Sequence, residues 1–303
     1  MKKLRFVVSL LVAENDYQQE QAAAAKEAAE KLGADVDVLY AGNDAVSQGQ
    51  QLFEYIQSSD RRPDGILCHP VGTSLPHVAR EAVAAGIAWA ILNREADYIP
   101  ELRQNAKVPV FTVSVDQQEV GRIQGLQMGA LLPEGGLALY IVGPTSNPGL
   151  QMRTAGAEAA KPSNVQLRML PARLTEQSGY DVVSNWLGLS TAHSTPVKLV
   201  AAHNDSMAMG ARRAVAERMV GSARQRWSQL PYIGCDACPQ SGRQWVQQGL
   251  LTASVVLPPS AGRALEMMAS GMQSPQTVPE RTLLSPTPLP AIDKLAPARA
   301  GSK

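Results

Sequence analysis

A chain of 303 residues, 45% apolar and 18% charged, is too long for one ordinary core and too apolar to be disordered along its body. Its 28 basic and 27 acidic residues leave a net charge of +1 with no basic run, which excludes nucleic acid as the main partner, because phosphate neutralisation needs clustered Lys and Arg. No stretch approaches about 18 consecutive apolar residues, so no segment is expected to insert in a membrane.

The chain opens on Met1-Lys2-Lys3, which has the charge of an export-signal n-region. Arg5 interrupts the apolar run behind it, however, and Glu14-Asn15-Asp16 closes that run without a small-residue cleavage site. Residues 4–12 therefore read as the first core strand, and the sequence as it stands reads as carrying no export signal. Further strands are expected at 36–40, 65–69, 88–92 and 110–115, and then at 137–142, 165–170, 198–202, 232–234 and 252–256. Helices are expected between them, near 17–32, 45–58, 75–85, 117–132, 150–160, 177–187, 205–219, 239–248 and 260–270. Alternating strands and helices imply βαβ units and parallel sheets. Gly33 and Gly86 read as helix stops, Asp116-x-x-Glu119 as a helix start, and Gly121, Gly125 and Gly129 as one close-packing helix face. The ten strands fall into two sets of five, with the break near Val115-Asp116. The stretch 94–107 reads as a surface loop, and the proline-rich segment 289–303 as an extended or disordered tail.

In open parallel sheets ligands sit at the carboxyl ends of the strands. The residues expected there are Asn15 and Tyr17 after the first strand, Asn93-Arg94 after the fourth, Pro144 to Arg153 after the sixth, His203-Asn204-Asp205 after the eighth and Asp236 after the ninth. Amides, carboxylates and guanidinia suit a polyhydroxyl ligand, since each hydroxyl both donates and accepts. Asn and Asp at such places also serve as plain helix caps; Arg94 is harder to explain that way.

Enzymatic readings are weak. His203, Asp205 and Ser206 are neighbours in sequence and do not form a triad on that basis, and no G-x-S-x-G, G-x-G-x-x-G or G-x-x-x-x-G-K is present. Cys235-x-x-Cys238 has redox-motif spacing. It lacks a second pair, however, and His69, His77, His193 and His203 show no metal-ligand spacing, so neither cofactor nor metal is expected.

Six stretches carry a resemblance: Phe6-Val7-Val8-Ser9, Lys31-Leu32-Gly33, Asn93-Arg94, Arg153-Thr154-Ala155-Gly156, His203 through Ala211, and Tyr232-Ile233-Gly234-Cys235-Asp236. In order and spacing the chain resembles the ribose-type periplasmic sugar-binding proteins, whose fold the ligand cores of lactose-repressor-like regulators share. The resemblance implies an α/β fold of two doubly wound parallel-sheet lobes joined by three crossings. The first lobe would hold 1–115 and 257–280, the second 116–256 and 281–288. It implies a non-catalytic receptor that closes on a sugar or polyol between the lobes, with Ser9, Asn15, Tyr17, Gln18, Asn93 and Arg94 on one side and Arg153, Asn204 and Asp236 on the other. Where that family has Asp before Arg, this chain has Asn93. Where it has a second aromatic, this chain has Gln18; an aromatic near Leu174 is missing, and a hinge Gln is Leu257. These departures disfavour ribose itself. With the first strand starting at Leu4, no N-terminal DNA-binding region is expected. The implied protein is a periplasmic monomer serving a transporter permease or, alternatively, a sensor receptor; without an export signal a cytoplasmic location is the other reading.

Overall fold

The computed structural model describes residues 3–72, 75–190, 192 and 195–297. Met1, Lys2 and His193, on which parts of the sequence reading rest, lie outside these, as does the end of the tail from residue 298. The chain divides into two compact units. One runs to Val115 and resumes at Pro258–Leu284; the other is Asp116–Leu257 together with the chain from Ser285.

The first unit is a six-stranded sheet. Its strands are β1 (Arg5–Leu10), β2 (Asp35–Tyr40), β3 (Gly65–Cys68), β4 (Ala88–Leu92), β5 (Val110–Val115) and β11 (Arg281–Leu284), in the order β11-β5-β4-β3-β1-β2, all parallel. Both faces are covered, so the strands read as near-continuous apolar runs rather than alternating ones. Phe6, Val8 and Leu10 face a core shared with α1 (Asp16–Leu32) and the last long helix, α11 (Ser260–Gly271). Val7, Ile66, Trp89 and Ile91 face a second core closed by α2 (Ala45–Gln57), α3 (Pro76–Ala84) and α4 (Ile99–Gln104).

The second unit repeats the plan with four parallel strands: β6 (Gly136–Val142), β7 (Val165–Pro171), β8 (Val197–Ala202) and β9 (Tyr232–Ile233), ordered β7-β6-β8-β9. Helices α5 (Gln117–Leu131) and α6 (Pro148–Ala160) cover one face. Helices α7 (Glu176–Leu187), α8 (Asp205–Arg218) and α9 (Gly221–Ser228) cover the other, where Trp186 and Trp227 meet edge-on at 5.6 Å. A short α10 (Gly242–Gln247) precedes β10 (Ser254–Val256), which pairs antiparallel with β12 (Thr287–Leu289).

Local chemistry explains several boundaries. Asn15 caps α1 by accepting from Gln18 N–H, and Gly33 ends it at φ 62°, where a side chain would be strained. Gly121 lies so close to α6 that an added Cβ would stand 1.9 Å from the Arg153 carbonyl oxygen, so the glycine face packs helix against helix.

The structure corrects four expectations. The strands divide six, four and two rather than five and five. Arg281–Leu284, expected in the second lobe, is the edge strand of the first sheet, paired with Thr112–Val115. The tail is not all extended: Ile292–Lys294 makes a 3-10 turn, and Leu295 packs on the core of the second unit. Within 94–107, α4 anchors Ile99, 2% exposed, into the first unit's core with Tyr98 and Leu102 against it. Among the described residues no helix is long and apolar enough to cross a membrane.

Candidate functional site

Each sheet reverses its strand order once, between β1 and β3 in the first unit and between β6 and β8 in the second. A crevice opens at the carboxyl ends of strands where the order reverses, which is where such sheets take ligands.

In the first unit the strand ends are tied by buried side chains. Ser9, fully buried, accepts from Gln48 Nε2 at 2.9 Å; the same nitrogen donates to the His69 carbonyl, and Gln48 Oε1 accepts from Val71 N–H. Gln18 Oε1 accepts from Leu11 N–H, so its Nε2 turns to His69 Nδ1 at 3.2 Å. His69 Nδ1 is thereby an acceptor, and the ring keeps its proton on Nε2. Burial, followed by the nearby Arg94 charge, lowers the His69 pKa to about 3, so the ring is neutral. Tyr17 OH donates to Asn93 Oδ1 at 3.1 Å and Ser260 Oγ to the same atom at 3.0 Å, while Asn93 Nδ2 is buried without a partner among the described residues. Asn93 adopts φ 59°, a left-handed conformation that Asn and Asp tolerate and other residues resist. Arg94 follows, half-buried, with its pKa lowered by loss of solvent, and makes no hydrogen bond or ion pair with another described residue.

In the second unit His203 occupies the matching place. Its Nδ1 accepts from Gly143 N–H at 2.9 Å, so Nε2–H faces Thr154 Oγ1 at 3.2 Å, and that hydroxyl donates to the Leu150 carbonyl. Burial and then the Arg153 charge lower its pKa to about 2. Arg153, 5% exposed, gives Nε and Nη2 to Gln117 Oε1 and Nη1 to the His203 carbonyl. Asn204 caps α8 by accepting from Met207 N–H and donates Nδ2 to the Leu174 carbonyl. Asp205, next in the chain, is buried. Its carboxylate accepts from Ala237 N–H at 2.7 Å and Ser254 Oγ at 2.6 Å, and burial and then the Asp236 charge raise its pKa well above the carboxylate range. These bonds hold a strained turn in which Asp236 (φ 104°) and Ala237 (φ 47°) both lie at positive φ.

The predicted residues thus divide by use. Tyr17, Asn93 and Arg94 gather at the strand ends of the first unit, and Asp236 stands half-buried at the end of β9 in the second. Ser9, Asn15, Gln18 and Asn204 also cap helices or tie strand ends, and Arg153 also bonds Gln117 and the His203 carbonyl. Gln48 and Ser260 carry no expectation at these strand ends, and His69 and His203, which end or follow expected strands, carry no expected ligand role. One signal was available: Gln48 stands in register with Leu52 and Ile56 on the buried stripe of α2, where an apolar residue belongs. Cys68, Cys235 and Cys238 are buried thiols, and burial pushes those of Cys68 and Cys235 up, opposite to what redox chemistry needs.

Two doubly wound parallel units, each built from separated stretches of chain, define the type I periplasmic-binding-protein-like class. The chain belongs to the periplasmic binding protein domain family, whose model matches residues 6–273. No curated protein matches it. Among solved structures it is similar to an ABC transporter solute-binding protein from Actinobacillus succinogenes with bound D-allose (TM-score 0.80, 19% identity, 94% of this chain and 97% of that one). Another is an ABC transporter solute-binding protein from Bacillus halodurans with bound myo-inositol (TM-score 0.76, 20% identity, 94% of each chain). A third is the fructose-binding periplasmic domain of a hybrid two-component system (TM-score 0.74, 19% identity, 94% and 90%). At these identities the likeness is one of fold.

Proposed function

We propose that this chain is a non-catalytic solute receptor of an ABC-type transporter and that its ligand is a sugar or polyol. The observation that carries the reading is the pair Asn93 and Asp236. Each follows a strand of its unit's parallel sheet, each is held at positive φ by hydrogen bonds from its surroundings, and each places a polar group where such sheets take ligands. Neighbours of the same fold with bound D-allose and myo-inositol support a polyhydroxyl ligand. Arg94 supplies charge-assisted donors and Asp236 acceptors, each contributing about 1.5–3 kcal/mol to a hydroxyl contact. The family points to the periplasm and to a membrane permease as partner.

The test is a thermal-shift screen of sugars and polyols followed by calorimetry. A ligand at 100 times its Kd should add about 2.7 kcal/mol of stability. Arg94→Ala and Asp236→Asn should each weaken binding about tenfold or more. Normal affinity in both variants would remove these strand ends as the site, and no stabilisation by any sugar or polyol would remove the function. Fractionation of the native cells tests the location.

A further inference from the structure

We infer that the ligand carries an anionic group, a carboxylate or a phosphate ester on a polyhydroxyl body, and that Arg94 receives it. The inference rests on the proposal that the strand ends of the first unit hold the ligand, and it narrows the class of that ligand.

Arg94 is half-buried, yet it joins no ion pair among the described residues. None of its guanidinium nitrogens is sealed from solvent, so its N–H donors stay open to a ligand, and an anion is the partner that a planar guanidinium binds most strongly. Its neighbours do not supply that anion. Glu95, next in the chain, is bound to Arg281 and exposed. The cluster at the end of β4, made of Tyr17, Gln21, Asn93 and Ser260, is neutral throughout. His69 is neutral too, and its Nε2 carries a proton, so it offers a donor rather than an acceptor.

Position 93 adds the second observation. The left-handed backbone at φ 59° accommodates Asp as readily as Asn, so backbone geometry does not demand the amide. A carboxylate there would put a negative charge on the residue next to Arg94 in the chain. Asn93 keeps the position polar and leaves the charge uncompensated. A neutral sugar would leave it so; an acidic one would complete it.

Calorimetry on the full chain with matched pairs tests this: D-galactose against D-galacturonate, D-glucose against D-gluconate, and D-glucose against glucose 6-phosphate, each at low and moderate salt. An acid should bind at least tenfold tighter than its neutral parent, by an advantage that shrinks with salt. Whether carboxylates or the phosphate ester gain decides between the two anions. Arg94→Gln and Asn93→Asp should both reduce the preference towards unity, and circular dichroism melts establish that each variant is folded. Neutral parents binding as tightly as their acids would overturn the inference and leave the receptor function standing. Absence of binding across all pairs, inositol and allose would overturn both. A preference for acids that survives Arg94→Gln would overturn the assignment to Arg94.

Discussion

His69 and His203 both end a strand beside the reversal of strand order, and both are buried as neutral rings. The folded protein holds their pKa values at about 3 and about 2, against about 6.5 in an unfolded chain. Between those values the unfolded state takes up protons that the folded state refuses. Their contribution is therefore complete above about pH 6.5 and is lost as pH falls towards the folded values, by up to about 1.4 kcal/mol per pH unit for each ring. Asp205 acts in the opposite sense, since its raised pKa favours the folded state as pH falls. Urea titrations at pH 7 and pH 5 should show a smaller acid loss in His203→Gln than in the unaltered protein; equal losses would mean that His203 is not held neutral. This residue-scale chemistry was half legible. Asn93, Arg94 and Asp236 could be picked out because they follow apolar runs. That Asn204 gives both ends of its amide to backbone groups, and Gln18 its amide to Leu11 N–H and the His69 ring, could not, because a capping amide and a ligand-binding amide have the same sequence.

At the scale of elements, Gly121 and Gly156 set the distance between α5 and α6. A Cβ on Gly121 would stand 1.9 Å from Arg153 O, and one on Gly156 would stand 2.2 Å from Gln118 O. The obstacle in each case is backbone, so the helices must separate. Gly121→Ala should cost about 1–3 kcal/mol in urea unfolding and should weaken ligand binding as well if α6 carries Arg153 out of place. Gly33→Ala, with open space around it but φ 62°, should cost about 1 kcal/mol and leave binding unchanged. Equal effects of the two substitutions on binding would separate Arg153 from the site. The four-residue spacing of Gly121, Gly125 and Gly129 announced a close-packed face, though not which neighbour meets it. Two helices gave no such signal. In α9 only Trp227 is buried, so Gly221–Ser228 has no apolar stripe to read. In α4 a single turn and a half holds one buried residue, Ile99.

For the whole molecule, the alternation of strands and helices made the parallel, two-unit plan readable from the sequence. The edge strand was not readable, because Arg281–Leu284 is only half-buried at alternate positions and looks like loop. Its pairing with β5 matters, since each unit is completed by chain that returns after an excursion. The first 115 residues alone lack α11, which supplies Ala261, Ala264, Leu265, Met267 and Met268 to the core. Expressed alone, residues 1–115 should show no cooperative thermal transition by circular dichroism; a sharp melt would contradict a core that depends on α11.

The sealed state of Cys68, Cys235 and Cys238 has a practical use. A maleimide dye applied to the native protein should leave all three untouched, so one cysteine introduced on an exposed helix face of each unit would be labelled alone. A donor and acceptor fluorophore installed in this way would turn the unmodified core into an optical reporter of solute, read by energy transfer in real time.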